Sequence, residues 1–220
     1  MKYYKALLFG SIGSIVETSD LQRKSFNQAF IKSDLNWYWT KKEYKKLLNK
    51  SGGEDRISRY AKQSNIRVNA KKIRSLKTKI FNNYLKKKEL KLRPGVKDLI
   101  NFCIKNKIKL GFVSSTSLNN INSIFYCLRR SIKKSYFNFI GNSNLVKKNK
   151  PNPDIYLFAL KKLKLKPKEC IAIEDSQESL DAAFKAKIKC LIFPGKFHSG
   201  KKFLRAYKKV FNLNIKIMRK

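Results

Sequence analysis

Acidic residues are scarce in this sequence of 220 residues, which has 14 Asp and Glu against 52 Lys and Arg. The resulting formal net charge is +38 at pH 7. Such an excess of cations is typical of proteins that bind polyanions, above all the phosphates of RNA or DNA. Coding drift in an A+T-rich genome is the alternative, because it favours Lys, Asn and Ile, which number 42, 19 and 21. Drift accounts for the choice of lysine over arginine but not for the shortage of acids, so both explanations stay open.

Histidine, paired cysteines and long apolar runs are also lacking. His198 is the only histidine and no C-x-x-C pair occurs, so a zinc site is not expected. No apolar run reaches the roughly 18–20 residues of a membrane-spanning helix, and residues 1–13 lack the pattern of a secretory leader. The sequence therefore predicts a soluble protein, without membrane contact, in a reducing compartment; its composition suggests a plastid, another organelle or a reduced-genome host. Four widely spaced cysteines are predicted to be buried thiols: Cys103, Cys127, Cys170 and Cys190.

Hydrophobic periodicity divides the chain into parts. Ala6–Phe9 is a short continuous apolar run, typical of a buried parallel strand. Residues 19–88 follow a helical period, and Gly52-Gly53 marks a turn between helices. After Arg93-Pro94-Gly95, strand and helix signals alternate. This alternation predicts an α/β fold, a mostly parallel Rossmann-like sheet with helices on both faces.

The domain organisation follows from this division. We predict a core of residues 1–14 and 93–220, with a helical cap of residues 15–92 inserted after the first strand. Residues 201–220 carry large apolar side chains and are predicted to form a helix and tail that dock on the core. After the break, strands are predicted at Lys109–Val113, Phe137–Ile140, Cys170–Ile173 and Cys190–Phe193, and helices at Val96–Asn106, Leu118–Leu128, Pro153–Leu163 and Gln177–Ala186.

Several motifs occur in a fixed order along the chain. They are Gly52-Gly53-Glu54-Asp55-Arg56, Leu92-Arg93-Pro94-Gly95, Ser114-Ser115-Thr116-Ser117, Lys150-Pro151-Asn152-Pro153-Asp154 and Ile173-Glu174-Asp175-Ser176. In this order and spacing they resemble haloacid dehalogenase-like (HAD-like) hydrolases, in particular the CbbY-type and β-phosphoglucomutase-like sugar-phosphate phosphatases. The resemblance spans roughly residues 3–195. It implies a HAD-like Rossmannoid core with a helical cap.

The resemblance also implies that the chemistry should lie in the loop after the first strand. Enzymes of this family transfer a phosphoryl group to an aspartate carboxylate beside Mg²⁺, and a second aspartate two residues later serves as acid and base. The matching positions hold Gly10 and Ile12, neither of which carries a carboxylate. No Asp or Glu precedes Glu17, so no shift of the alignment restores the pair. Ser11 and Ser14 are the alternative nucleophiles, but neither has a base as its neighbour.

Other parts of the family's site are implied to remain. Ser115, Thr116 and Lys150 match its phosphate-binding positions, where hydroxyls, backbone amides and an ammonium group hold an oxyanion. Glu174 and Asp175 match its metal-binding carboxylates. Because the bridging aspartate is missing, Mg²⁺ binding is predicted to be weak or lost.

Two further expectations concern cations. Arg56 matches a cap residue that reaches the substrate phosphate in the family. For Lys150 an alternative stays open, in which its ammonium pairs with Asp175 in a buried ion pair that holds the fold together.

These observations lead to two predicted functions. The first is a catalytically degenerate phosphatase homologue, a pseudoenzyme without cofactor that serves as a basic binding or structural protein for RNA or an RNA-containing assembly. The alternative is a Mg²⁺-dependent sugar-(bis)phosphate phosphatase or phosphomutase that retains some activity, or a sensor that binds a sugar phosphate. The lost carboxylates and the charge of +38 favour the first. The retained second, third and fourth motifs favour the alternative.

Overall fold

The computed structural model describes residues 2–49, 52–87 and 89–220, and only the backbone of Lys87. Position 1 of the predicted core and positions 50, 51 and 88 of the predicted cap lie outside the described residues. The chain divides into two compact units, one drawn from Met1–Glu17 with Glu89–Lys220 and the other from Thr18–Lys88.

A parallel sheet forms the centre of the first unit. Its strands are β1 (Ala6–Phe9), β2 (Lys109–Val113), β3 (Phe139–Gly141), β4 (Cys170–Glu174), β5 (Lys189–Ile192) and β6 (Lys208–Lys209), in the spatial order β3-β2-β1-β4-β5-β6. Within the sheet, Leu8 of β1 is in register with Gly111 of β2 and with Ala172 of β4. Every residue of β1 is buried, which explains why its sequence is continuously apolar instead of alternating. The predicted α/β fold is confirmed.

Helices connect the strands and build the second unit. They are α1 (Ile12–Ile15), α2 (Ser19–Ile31), α3 (Lys41–Leu47), α4 (Gly53–Gln63), α5 (Ala70–Lys87), α6 (Val96–Lys105), α7 (Leu118–Cys127), α8 (Asp154–Leu163) and α9 (Gln177–Lys185). In the first unit, α8 packs on β2 and β3, and α9 packs on β4 and β5. From α6 to β5, the predicted bounds agree with the observed ones to within two residues at each end.

Aromatic packing holds the second unit together. The Trp39 ring is fully buried, with its centroid 4.9 Å from that of Phe26 and 4.7 Å from that of Phe30. Tyr60 of α4 packs edge-on against Trp39 at 5.4 Å. The Asn27 side chain donates to the Trp39 carbonyl at 3.1 Å and accepts from its N–H at 2.9 Å. These contacts join α2, α4 and the segment before α3 into a core that belongs to this unit alone.

The last twenty residues do not form the predicted helix. They form β6, turns and a short 3-10 helix at Ile215–Met218. The predicted docking is correct only in part: Leu213 and Met218 are buried, whereas Tyr207 and Phe211 are 59% and 64% exposed.

The backbone of this segment explains why the predicted helix is absent. The Tyr207 N–H donates to the Cys190 carbonyl at 2.9 Å, so the segment pairs with the edge of the sheet. The Leu213 carbonyl lies where a side chain at position 95 would stand, and Gly95, with φ of +78°, leaves that space open. Both contacts depend on backbone groups and on free space beside a glycine. The helical periodicity of the sequence indicates neither of them.

The four cysteines are free thiols. Cys103, Cys170 and Cys190 are buried as predicted, but Cys127 at the end of α7 is only partly buried, because its side of the helix reaches the surface. Within the described ranges, no helix has both the length and the apolar character that crossing a bilayer requires.

Candidate functional site

The carboxyl ends of β1, β2 and β4 meet at one edge of the sheet, and the ammonium group of Lys150 lies among them. Its Nζ donates to the Gly10 carbonyl at 2.5 Å, to the Val113 carbonyl at 2.8 Å and to Glu174 Oε1 at 2.5 Å. Because an ammonium group has three N–H donors, these three bonds use all of them. Lys150 therefore ties the ends of three neighbouring strands together.

Glu174 is the partner that makes this arrangement ionic. Its side chain is fully buried at the end of β4, and Oε1 also accepts a hydrogen bond from the Tyr156 hydroxyl at 2.6 Å. Burial raises the pKa of Glu174, the ammonium of Lys150 opposes that rise, and the charge of Asp175 adds to it. Among the described residues, Oε2 accepts no hydrogen bond.

The alternative pairing of Lys150 with Asp175 is wrong. The Asp175 carboxylate lies against Gly13, where an added Cβ would overlap its Oδ2. Adjacent residues at the end of a strand point to opposite sides, so Glu174 faces Lys150 and Asp175 faces the loop after β1.

The position that corresponds to the family's nucleophile is closed. A Cβ added at Gly10 would overlap the Glu174 carboxylate and the Tyr156 hydroxyl. Ile12 begins α1 and is half-buried. Ser11 caps that helix, accepting from the Ser14 N–H at 3.2 Å. Neither glycine nor isoleucine supplies a group that attacks phosphorus or transfers a proton.

The alternative nucleophiles serve local structure. The Ser14 hydroxyl is fully buried and donates to the Ser11 carbonyl at 2.6 Å. The Ser11 hydroxyl accepts the capping bond of α1. Both hydroxyls are therefore engaged within one helical turn.

The predicted phosphate-binding residues lie between β2 and α7. The Ser115 hydroxyl is half-buried and accepts from the backbone N–H of Lys150 at 3.4 Å. The Thr116 hydroxyl accepts from the Asn120 side chain at 3.1 Å. The segment leads directly into the N-terminus of α7, whose dipole favours anions. The structure brings Ser115 together with the backbone of Lys150, while the Lys150 ammonium points to Glu174.

The carboxylates present do not fit Mg²⁺. This ion requires near-octahedral oxygen ligation at about 2.0–2.1 Å. Of the family's positions, Gly10 offers only a carbonyl that accepts from Lys150, and Glu174 Oε1 is already bonded to Lys150 and Tyr156. Within the part of the chain that the structure describes, no group of three or more His, Cys, Asp or Glu residues could hold a metal ion.

Arg56, the predicted substrate contact of the cap, is buried within the second unit. Its Nε donates to the Leu47 carbonyl at 3.0 Å. Its guanidinium group lies 5.9 Å from the Phe26 ring centre and 5.6 Å from that of Tyr44. Arg56 is therefore one side of a cation–aromatic stack.

Lys77 is a second buried cation in the same unit, and sequence reasoning missed it. Its Nζ lies 4.9 Å from the ring centres of both Phe26 and Phe81, and donates to the side-chain oxygen of Gln22. The pKa of Lys77 is lowered to about 7, mainly by burial and to a smaller extent by the charges of Arg56 and Arg74. The helical periodicity of the sequence could have revealed it. Lys77 lies four residues from both Ile73 and Phe81 in α5, at a position of the apolar stripe where an apolar residue is expected.

Arg93 is the other missed residue, and it fixes the loop after β1. Its guanidinium group donates to the carbonyls of Gly13 at 2.6 Å, Phe193 at 2.7 Å and Pro194 at 2.7 Å, and stacks on the Phe193 ring at 3.4 Å. Burial lowers the pKa of Arg93, while Asp175 and Glu17 oppose this change. The sequence showed Arg93 only as part of a motif.

Comparison with known proteins gives a consistent relationship. The family model described as haloacid dehalogenase-like hydrolase matches residues 13–193. Protein CbbY of Cereibacter sphaeroides is 32% identical over 205 residues, which cover 92% of this chain and 89% of that protein. The crystal structure of CbbY from Rhodobacter sphaeroides in complex with phosphate has a TM-score of 0.84 and 31% identity, covering 94% of this chain and 93% of that one. A mutant of that CbbY in complex with xylulose-(1,5)bisphosphate also has a TM-score of 0.84, at 30% identity and the same coverage.

These similarities overturn the first of the two predicted functions. The related CbbY proteins match nearly the whole chain, and the crystallised one binds phosphate and a sugar bisphosphate. The prediction of a non-enzymatic basic protein for RNA or an RNA-containing assembly is therefore wrong. The net charge of +38 was misleading, because a surface excess of lysine governs solubility and long-range attraction and does not define the chemistry of one site.

Proposed function

This chain belongs to the haloacid dehalogenase-like hydrolase family, and we propose on that basis that its ligand is a sugar phosphate or sugar bisphosphate, handled as in a phosphatase or phosphomutase of the CbbY type. The relationship to CbbY over nearly the whole chain supports this proposal. Because a crystallised CbbY binds xylulose-(1,5)bisphosphate, a sugar bisphosphate is the first ligand to test.

One observation in the first unit carries the proposal. Ser115 and Thr116 lie between the buried end of β2 and the N-terminus of α7, where a phosphate oxygen would meet a hydroxyl and the positive end of the helix dipole. Lys150 contributes its positive charge beside this segment but no free N–H, since all three of its donors are bonded within the protein.

Two buried cations of the second unit lie beside one aromatic ring. Arg56 and Lys77 each lie within 6 Å of the Phe26 ring centre, at 5.9 Å and 4.9 Å. The charges that act on Lys77 are those of two arginines.

A second candidate function is recognition of the sugar phosphate without cleavage. It is favoured by Gly10 and Ile12, because loss of the nucleophile from a group of residues that act as a unit costs on the order of a million-fold in rate. It is also favoured by the overlap between any Cβ at position 10 and the Glu174 carboxylate. On this reading the chain is a pseudoenzyme that serves as a sensor.

Calorimetry with xylulose-(1,5)bisphosphate tests the ligand class. We expect saturable one-site binding, weakened about tenfold in Ser115→Ala, since one lost hydrogen bond to a charged group is worth about 1.5 kcal/mol. Ser123→Ala is the matched control and should bind like the wild type, because this half-buried serine of the same helix α7 donates to the Asn119 carbonyl. Absence of binding, or binding that Ser115→Ala leaves unchanged, would contradict the proposal.

A phosphate-release assay separates the two candidate functions. Turnover by the wild-type chain supports a phosphatase, whereas binding without turnover supports the sensor. The variant that carries both Gly10→Asp and Ile12→Asp is assayed in parallel with the wild type. Activity in that variant alone means that the scaffold is competent and that the missing carboxylates cause the inactivity of the wild type. The organelle or reduced-genome setting stays a prediction from composition.

A further inference from the structure

The charges at the ends of β1, β2 and β4 balance without a metal ion. The family resemblance implies carboxylates at positions 10, 174 and 175 around Mg²⁺, and this chain keeps two of the three. Glu174 has the Lys150 ammonium at 2.5 Å, with the two side chains 0% and 5% exposed. The remaining carboxylate, that of Asp175, interacts electrostatically with Arg93. Glu174 therefore has a cation of the chain itself as its direct partner, and the charge of Arg93 acts on Asp175.

The geometry leads to the same result. Mg²⁺ would need oxygens that other donors already use: Glu174 Oε1 accepts from both Lys150 and Tyr156, and the Gly10 carbonyl accepts from Lys150. Glu174 Oε2 is a single buried oxygen without a hydrogen-bond partner among the described residues. Without a carboxylate at position 10, the protein offers Mg²⁺ only this oxygen and the Asp175 carboxylate, and water would have to supply the rest of its six ligands.

We infer that the ammonium group of Lys150 takes the place of the divalent cation, so that this chain holds its phosphorylated ligand without Mg²⁺. Lys150 bonds to the end of β1, the end of β2 and the carboxylate that ends β4, as a bridging ion would. A tethered cation of charge +1 neutralises one carboxylate, that of Glu174, and the carboxylate at position 10 that would require further positive charge is absent. The ligand part of this inference rests on the proposed function, whereas the metal part does not.

Direct metal binding is the first test. Mn²⁺ serves as a paramagnetic probe. Its binding is measured as the loss of the free-ion signal when purified protein is added. We expect no stoichiometric binding to the wild type. Stoichiometric Mn²⁺ binding that Mg²⁺ displaces and Asp175→Asn abolishes would overturn the inference.

Thermal unfolding in EDTA and in excess Mg²⁺ is the second test. The unfolding midpoint of the wild type should be the same in both buffers, once the shift that a monovalent salt of equal ionic strength produces has been subtracted. In Lys150→Gln the midpoint should fall in EDTA and rise again with Mg²⁺, because the buried Glu174 carboxylate has then lost its cation. Lys148→Gln, an exposed neighbour, is the matched control and should show neither change. If Lys150→Gln does not fold, the Mn²⁺ measurement on the wild type decides the inference.

Ligand binding in the two buffers distinguishes this inference from the proposed function. Equal affinity for xylulose-(1,5)bisphosphate in EDTA and in Mg²⁺ supports both. Binding only in Mg²⁺ overturns the inference and leaves the proposed function standing. If xylulose-(1,5)bisphosphate binds in neither buffer and Mn²⁺ does not bind either, the proposed function is overturned. The metal part of the inference then stays intact.

Discussion

Lys150 and Glu174 form a buried ion pair in which Nζ lies 2.5 Å from Oε1, although the two residues are separated by 24 positions in sequence. The attraction between two buried charges offsets part of the cost of removing them from water, and removing one partner leaves the other uncompensated. The pair stands where the related hydrolases are expected to hold a nucleophile and a metal ion. It therefore stabilises the fold at a place where the family performs chemistry.

Replacing Lys150 by Met should destabilise the protein by about 3–5 kcal/mol, the range for breaking a buried pair. Urea unfolding measures this loss. Lys147→Met, at an exposed position on the same loop, should leave the free energy of unfolding within about 0.5 kcal/mol of the wild type. If both substitutions have the same small effect, the ion pair does not stabilise the fold.

A double variant separates the charge from the packing. With Lys150→Met and Glu174→Leu together, no buried charge remains without a partner, so stability should recover most of the loss seen in Lys150→Met alone. A double variant that is as unstable as the sum of the two single ones would mean that the residues act independently.

Gly10→Ala should also destabilise the protein, by about 1–3 kcal/mol, because its methyl group overlaps the Glu174 carboxylate and the Tyr156 hydroxyl. Gly53→Ala is the matched control: its methyl group would meet the Phe26 ring at 3.5 Å, an ordinary contact distance. Thermal unfolding should show a lower midpoint for the first and an equal or higher one for the second. A Gly10→Ala variant as stable as the wild type would mean that Glu174 moves aside without cost.

Lys77 should make stability depend on pH in a defined direction. Its pKa is about 7 in the folded chain against an ordinary value of 10.5, so between these values the unfolded chain binds more protons. The free energy of unfolding therefore gains a contribution that rises with pH over this interval, and below about pH 7 the full cost of burying the charged lysine remains. Lys77→Met removes that cost, on the order of a few kcal/mol.

Urea unfolding of the wild type and Lys77→Met across this pH range tests the direction. The variant should be more stable near neutral pH, and its advantage should shrink as pH rises. Lys79→Met, exposed on the same helix α5, should differ from the wild type by a constant amount. A pH-independent advantage of Lys77→Met would indicate that Lys77 stays charged in the folded chain.

Arg93→Met should cost about 3 kcal/mol, because three backbone carbonyls lose a charged donor. Arg93→Lys should restore less than half of this loss, since an ammonium group lacks the planar fork that reaches Gly13, Phe193 and Pro194 together. Arg129→Met is the exposed control, because its guanidinium group donates to the nearby Tyr126 carbonyl and lies over the Tyr126 ring. Proteolysis in the loop after β1 should increase in Arg93→Met and not in the control.

Much of the fold could be predicted because its signals are local. Ala6–Phe9 is apolar on both faces, which only a strand in the middle of a parallel sheet requires. After residue 95, short continuous apolar runs that form strands alternate with stretches of period 3.6 that form helices. The absence of carboxylates at positions 10 and 12 is a property of the sequence alone, and no packing arrangement restores a missing side chain.

Tertiary structure alone decided which groups are partners. Glu174 and Asp175 are neighbours in sequence with the same charge, and only their opposite directions at the end of β4 select Glu174 for Lys150. Residues 201–220 lack the predicted helix because their backbone pairs with β5, a contact made across the fold. Sequence thus determined which chemical groups this protein has and lacks, and the three-dimensional fold determined which of them meet, because distance and direction between remote residues are set by packing and not by their order in the chain.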